Sequence, residues 1–160
     1  MTWVALVVAG GGPDPLTGSH DASAGGGARI RLHALSDYDP DGDRSEHPET
    51  VPAATDGDRT TAWTTETYSA FSKPGVGIVL DARSQVELSQ LTAITDTPGF
   101  QAEIKASNES DGGFQAVSGS QTVESQTTCD LSGGSYRYYL VWITDPNGRA
   151  HVNEVKAKAK

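Results

Sequence analysis

From Arg29 onward, apolar and polar residues alternate in short runs, and a period of two marks strands with one buried face. Arg29-Ile30-Arg31-Leu32-His33-Ala34-Leu35 predicts the first strand. Val76, Ile78 and Leu80 keep step through Gly75–Asp81. Val86, Leu88, Leu91, Ala93 and Ile94 continue with a one-residue slip after Leu88, which reads as a bulge or a short turn. Phe100, Ala102, Ile104 and Ala106 alternate cleanly, Phe114–Val117 is short, and Thr122–Leu131 predicts a longer strand. Tyr136–Thr144 is so apolar that it reads as central, and Ala150–Ala159 closes the series with its lysines facing out. Between the runs stand turn signals: Asp56-Gly57-Asp58, Thr97-Pro98-Gly99, Asp111-Gly112-Gly113, Ser132-Gly133-Gly134-Ser135 and Asp145-Pro146-Asn147-Gly148. No segment sustains a helical period, and Pro40 and Pro48 oppose a helix through the stretch between them. The pattern predicts an all-β protein, an antiparallel β-sandwich or jelly roll.

The chain before this region differs in kind. Trp3–Ala9 is an apolar run too short to span a bilayer, and it lacks the basic start of a signal peptide. It reads as the outer end of a transmembrane helix, as a leader, or as a strand docking on the domain. Residues 10–28 are dominated by Gly, Ser, Pro and Asp and read as a tether. Residues 1–28 are therefore set apart as stub and tether, and 29–160 as the folded domain.

Twelve basic residues against twenty-one acidic ones give a net charge of −9. This excess opposes nucleic acid and anionic membrane surfaces as partners, and no part of the domain is suited to insert into a bilayer. The single cysteine, Cys129, excludes an internal disulfide and a thiolate zinc site, and it reads as a buried thiol. The acid is concentrated in Asp37, Asp39, Asp41, Asp43, Glu46 and Glu49, beside Arg44 alone. Asp37-x-Asp39-x-Asp41-Gly42 starts like an EF-hand loop, but the twelfth position is Pro48, where a bidentate Glu should stand. The stretch reads as a solvated acidic loop, with a β-type calcium loop as the alternative. His20, His33, His47 and His151 are scattered, and neither HExxH nor GxSxG occurs, so no catalytic constellation is indicated.

Several stretches resemble one known family. Ala53-Ala54-Thr55-Asp56-Gly57-Asp58-Arg59-Thr60-Thr61-Ala62-Trp63 is similar to the A-x-DGD-x-x-T-x-W signature of discoidin-like domains (coagulation factor 5/8 type C, galactose-binding-like). Gly77–Asp81 followed by Val86, Leu88 and Leu91 resembles the family's next strand pair. Phe100–Ser107 with Gly112–Val117 resembles its V-x-V-x-x-S-x-D-G-x-x-W-x-x-V pattern, Phe114 standing for the tryptophan. Arg137–Ile143 and Val152-Asn153-Glu154-Val155 resemble its close. More narrowly, YDPDGDRSEHPE ahead of DGDRTTAWTTETY and KPGVGIVLD resembles ectodomains of actinobacterial membrane kinases and MviN/MurJ-like lipid II flippases.

The resemblance implies a galactose-binding-like jelly roll acting as a non-catalytic binding module on the extracellular face of the cell membrane. It implies a carbohydrate or peptidoglycan-related polymer as partner; the alternative is a structural ectodomain that meets another extracellular protein. It implies a structural Ca2+ held by Asp56, Asp58, Thr61 and Glu154, although the same loop also reads as a turn of hydrogen-bonding aspartates without an ion. Family ligand sites join an aromatic platform to Arg, His, Asn or acidic groups in end loops. The residues offered here are Tyr38, Arg44, His47, Arg59, Glu66, Tyr68 and Phe71, with Lys73 beside them. Tyr68 and Phe71 read first as rings that close the end of the core, with the ligand platform as the alternative. Trp63 and Trp142 are expected in the core.

Overall fold

The computed structural model describes residues 27–160. The apolar run at 3–9 and nearly all of the tether lie outside the described residues. Twelve strands follow in order: β1 (Arg29–Ile30), β2 (His33–Tyr38), β3 (Trp63–Thr64), β4 (Val76–Val86), β5 (Leu88–Ile94), β6 (Gln101–Ser107), β7 (Gln115–Ala116), β8 (Gln121–Thr122), β9 (Gln126–Asp130), β10 (Tyr136–Asp145), β11 (His151–Val152) and β12 (Glu154–Ala159). The larger sheet runs β2-β4-β10-β6-β7, with β8 also on β6; the smaller runs β1-β12-β5-β9, and β11 pairs β3. Every pairing is antiparallel.

The two sheets meet through their apolar faces. Ile78 and Leu80 of β4, Tyr139, Val141 and Ile143 of β10, and Ala102 and Ile104 of β6 form one side of the core. Leu88 and Leu91 of β5, Val155 and Ala157 of β12 and Cys129 of β9 form the other. The expected all-β antiparallel sandwich is the fold observed, with β10 central between β4 and β6.

Several expected strands are divided, and each division has one cause. The run from Arg29 breaks because β1 pairs β12 in the smaller sheet while β2 pairs β4 in the larger. The slip near Leu88 is where the chain leaves the larger sheet after Val86 and joins the smaller at Leu88. The Tyr139 hydroxyl pins this corner, donating to the Val86 carbonyl at 2.6 Å and accepting from the Leu88 N–H at 3.4 Å. Thr122–Leu131 divides between β8 in the larger sheet and β9 in the smaller. Ala150–Ala159 divides at Asn153, between the small pairing with β3 and the smaller sheet.

Three further expectations are corrected. A 3-10 helix spans Pro48–Thr55 and buries Val51 and Ala54 against the core. Pro48 sits in its first turn, where a missing N–H removes no bond. The acidic stretch is not simply solvated, because Asp39 and Glu46 are buried. Trp142 packs on the outer face of the larger sheet with Val79 and Leu140, separate from the main core that holds Trp63. Gly75 makes room for this indole: a Cβ there would stand 2.3 Å from Trp142 Cε2.

Candidate functional site

The excursion from Asp39 to Gly75 closes one end of the sandwich and carries most of the residues singled out in the sequence. Its foundation is a buried charged network. Lys73 Nζ reaches both Asp39 carboxylate oxygens at 3.0 and 3.1 Å and the Tyr68 hydroxyl at 3.1 Å, and stands 3.7 Å from Glu46 Oε1. The Tyr68 hydroxyl donates to Glu46 Oε1. Glu46 Oε2 accepts from the Glu66 N–H at 2.7 Å, and the Glu46 carbonyl accepts from Trp63 Nε1 at 2.7 Å. Burial pushes the Glu46 carboxyl above the ordinary range against the lowering pull of Tyr68, Glu66 and Lys73. Tyr68 is raised by burial and by its bond to Glu46. Burial works to lower Lys73, but its bonds to Tyr68 and Asp39 outweigh that and raise it.

This network fixes a loop whose backbone is otherwise unfavourable. Arg44 and His47 both sit in the left-handed region, at φ 67° and 52°. Asp39 accepts from the Arg44 N–H at 3.2 Å, Asp43 from the Ser45 N–H at 3.0 Å, and Asp37 from the Glu46 N–H at 2.6 Å. Arg44 is exposed. His47 is half-buried, with Nδ1 2.9 Å from Glu49 Oε1, a bond that lowers the Glu49 carboxyl. Beside them the Tyr68 and Phe71 rings meet edge to face at 4.9 Å. Arg44, His47, Glu66, Tyr68 and Phe71 are thus tied to one loop assembly, with the Tyr68 hydroxyl already engaged inside it.

Tyr38 and Arg59 lie elsewhere. Tyr38 joins Phe114 (ring centroids 5.2 Å apart) and Trp142 (5.8 Å) on the outer face of the larger sheet. Lys105 Nζ stands 4.8 Å from the Trp142 ring centre, and Pro40 and Asp41 complete a shallow groove of about 270 Å³. The sequence pattern hid this group, because Trp142 and Leu140 share a strand whose alternate residues fill the core. Arg59 lies with Asp56 and Glu154 on a larger groove, of about 770 Å³, beside the smaller sheet.

In the DGD loop, Glu154 Oε2 accepts from the Gly57 N–H at 2.8 Å and Asp56 Oδ2 from the Thr61 hydroxyl at 2.7 Å. Asp58 turns to the Thr60 N–H and hydroxyl, which lower its carboxyl. Glu154 is raised by burial and by the nearby charge of Asp56, a repulsion that a cation would relieve. Asp56, Thr61 and Glu154 supply only hard oxygen donors, the type calcium takes. Among the described residues no group of three or more His, Cys, Asp and Glu side chains is placed to hold a metal by itself, so an ion here would depend on carbonyls and water as well.

No family profile matches the chain, and no curated protein does. Solved structures do. CpGH89CBM32-5 from Clostridium perfringens, solved with GalNAc-β-1,3-galactose, superposes at a TM-score of 0.62 and 17% identity over 82% of this chain and 100% of its own. CBM32-3 of a family 31 glycoside hydrolase from the same organism gives 0.61 and 16% over 81% and 92%. The C-terminal domain of a Bacteroides fragilis chitobiase gives 0.59 and 14% over 83% and 98%. The fold is that of the galactose-binding-like β-sandwiches, which the discoidin-like domains share.

Proposed function

We propose that this chain is a non-catalytic extracellular module that binds carbohydrate or a cell-wall polymer through its loop end. The observation that carries the reading is the placement of Arg44 and His47. Both are held in left-handed backbone, at a cost of about 1–3 kcal/mol each for such sites, on a loop fixed by the buried Asp39 and the half-buried Asp37. An Arg, a His–Glu pair and two aromatic edges suit the hydroxyls and apolar faces of a sugar ring. The similar fold of CpGH89CBM32-5, solved with a disaccharide, supports the same class of ligand.

The test is titration of the full chain with GalNAc-β-1,3-galactose and with muropeptides, followed by NMR. Perturbation of Arg44, His47 and Glu66 is expected, and loss of affinity of at least tenfold in Arg44→Ala and His47→Ala, about the 1.4 kcal/mol or more of a charged contact. No perturbation at the loop end by either ligand overturns the reading for them.

Two further parts belong to this proposal. Calcium held at the DGD loop by Asp56, Thr61 and Glu154 would tie that loop to the last strand. Attachment to a membrane protein is supported by the apolar run at 3–9 and the Gly/Ser/Pro tether that follows.

A further inference from the structure

The outer face of the smaller sheet carries a concentration of positive charge that an acidic protein has no evident reason to keep. Arg29, Arg31, Arg59, Lys156 and Lys158 all line its groove of about 770 Å³, five of the twelve basic residues in a chain of net charge −9. Among the described residues none of the five forms a salt bridge or spends its side chain in a hydrogen bond. The two acids on the groove, Asp56 and Glu154, are engaged by the Thr61 hydroxyl and the Gly57 N–H at its loop side.

The register arranges these groups in rows. Arg29 stands directly opposite Lys158, and Lys158 opposite Gln90. Lys156 stands opposite Thr92, and Thr92 opposite Thr128. Ala157, Leu91 and Cys129 between them point into the core, so these rows face outward. Neighbouring rows are ~7 Å apart along the strand and neighbouring strands ~5 Å apart. Like charges directly opposite across two strands destabilise a sheet. The Arg29–Lys158 pair is such an arrangement, with no salt-bridge partner for either among the described residues, and a bound anion would remove its cost. Beside the cations, Gln90, Thr92, Gln126 and Thr128 line the groove; Gln90 donates its amide to Asp130 at the end of its row (3.0 Å) and the Thr92 and Thr128 hydroxyls share one bond (2.8 Å), which leaves the Gln90 carbonyl, the remaining hydroxyl capacity and the Gln126 amide to meet sugar hydroxyls. No aromatic residue lines it, so it lacks the stacking platform that single-stranded nucleic acid uses.

We propose that this face is a second binding site, for an anionic polysaccharide whose carboxylate or sulfate groups meet Arg29, Lys156 and Lys158 and whose hydroxyls meet the Gln and Thr rows. The site is independent of the loop end. Binding here rests on charge, so it weakens on the order of tenfold between 50 and 200 mM salt.

The test uses the full chain and one backbone in three forms: dextran, carboxymethyl-dextran and dextran sulfate, with oligo(dT) as an anion without that backbone. Carboxymethyl-dextran or dextran sulfate, or both, is expected to bind with salt dependence and to shift Lys156, Lys158 and Thr92 in NMR spectra, while dextran does not bind. Whichever form binds more tightly identifies the carboxylate or the sulfate as the recognised group. The exposed triple variant Arg29→Gln/Lys156→Gln/Lys158→Gln should lose at least tenfold in affinity with an unchanged circular dichroism spectrum. Lys156→Arg/Lys158→Arg should retain binding, which separates a lost charge from a damaged sheet. Excess GalNAc-β-1,3-galactose should leave binding of the charged dextran unchanged, so failure at the loop end and failure here are told apart. Binding of neither charged dextran, equal affinity for oligo(dT), or an unaffected triple variant each overturns the proposal.

Discussion

Glu46 shows how a single residue can be misread from its neighbours in sequence. It stands among acids that suggest a wet, self-repelling loop, yet it is fully buried and accepts from Tyr68 and Glu66 beside Lys73. Burial raises its folded pKa above the 4.5 of a free carboxyl. The folded state therefore holds the proton more tightly than the unfolded state does. Its contribution to stability is full below pH 4.5 and is lost as pH rises through the folded value. Glu46→Gln is neutral throughout, so the stability of the parent relative to this variant should decline from pH 4 to pH 7 in urea unfolding. A constant difference would show that Glu46 does not titrate as its burial implies. Lys73, which makes the ionised network tolerable, is invisible in the sequence as a partner, because the residues it joins lie up to 34 positions away.

At the scale of elements, the central pair β4 and β10 has two occupied faces. One holds the main core, and the other holds Val79, Leu140 and Trp142 beneath Tyr38 and Phe114. Gly75→Ala places a methyl group into the Trp142 indole at the mouth of β4. Overpacking of this kind costs about 1–3 kcal/mol. Chemical denaturation should show that loss, and altered tryptophan fluorescence should accompany it; parent-like stability would mean that the indole has room to move. The strand pair is also tied by Arg137, whose Nε and Nη2 meet the two Asp81 oxygens at 2.9 and 3.0 Å and hold that carboxyl below the ordinary range. The alternation revealed where strands exist. It did not reveal their ends, because apolar and polar residues keep alternating as the chain turns the corner at residues 31–32 or at Glu87.

For the whole molecule, Cys129 is the single cysteine of the sequence and is buried and unpaired, so the core is held by packing and hydrogen bonds and not by an internal cross-link; burial also raises its thiol pKa. The DGD loop is joined to β12 through Gly57 and Glu154, and Asn153 Nδ2 donates to the Arg59 carbonyl at 3.0 Å. If calcium occupies the loop, it stabilises the folded state in proportion to its saturation, by about 2.7 kcal/mol at a hundred times its Kd. Chelation should then lower Tm and calcium should restore it, whereas Glu154→Gln should have a lower Tm and respond to neither. A parent Tm indifferent to chelator removes the ion from the proposal. The opposite sheet faces also differ at this scale: one is aromatic, the other basic.

Local composition and a period of two were enough to determine an all-β chain, a central strand at Tyr136–Thr144, a buried thiol and the end loop that carries Arg44 and His47, since each depends on residues close together in sequence. Which sheet a strand joins, which acids are buried, and which cations share a groove were decided only by the folded arrangement. Arg29 and Lys158 lie near the two limits of the domain, and it is antiparallel pairing of its first and last strands that sets them face to face.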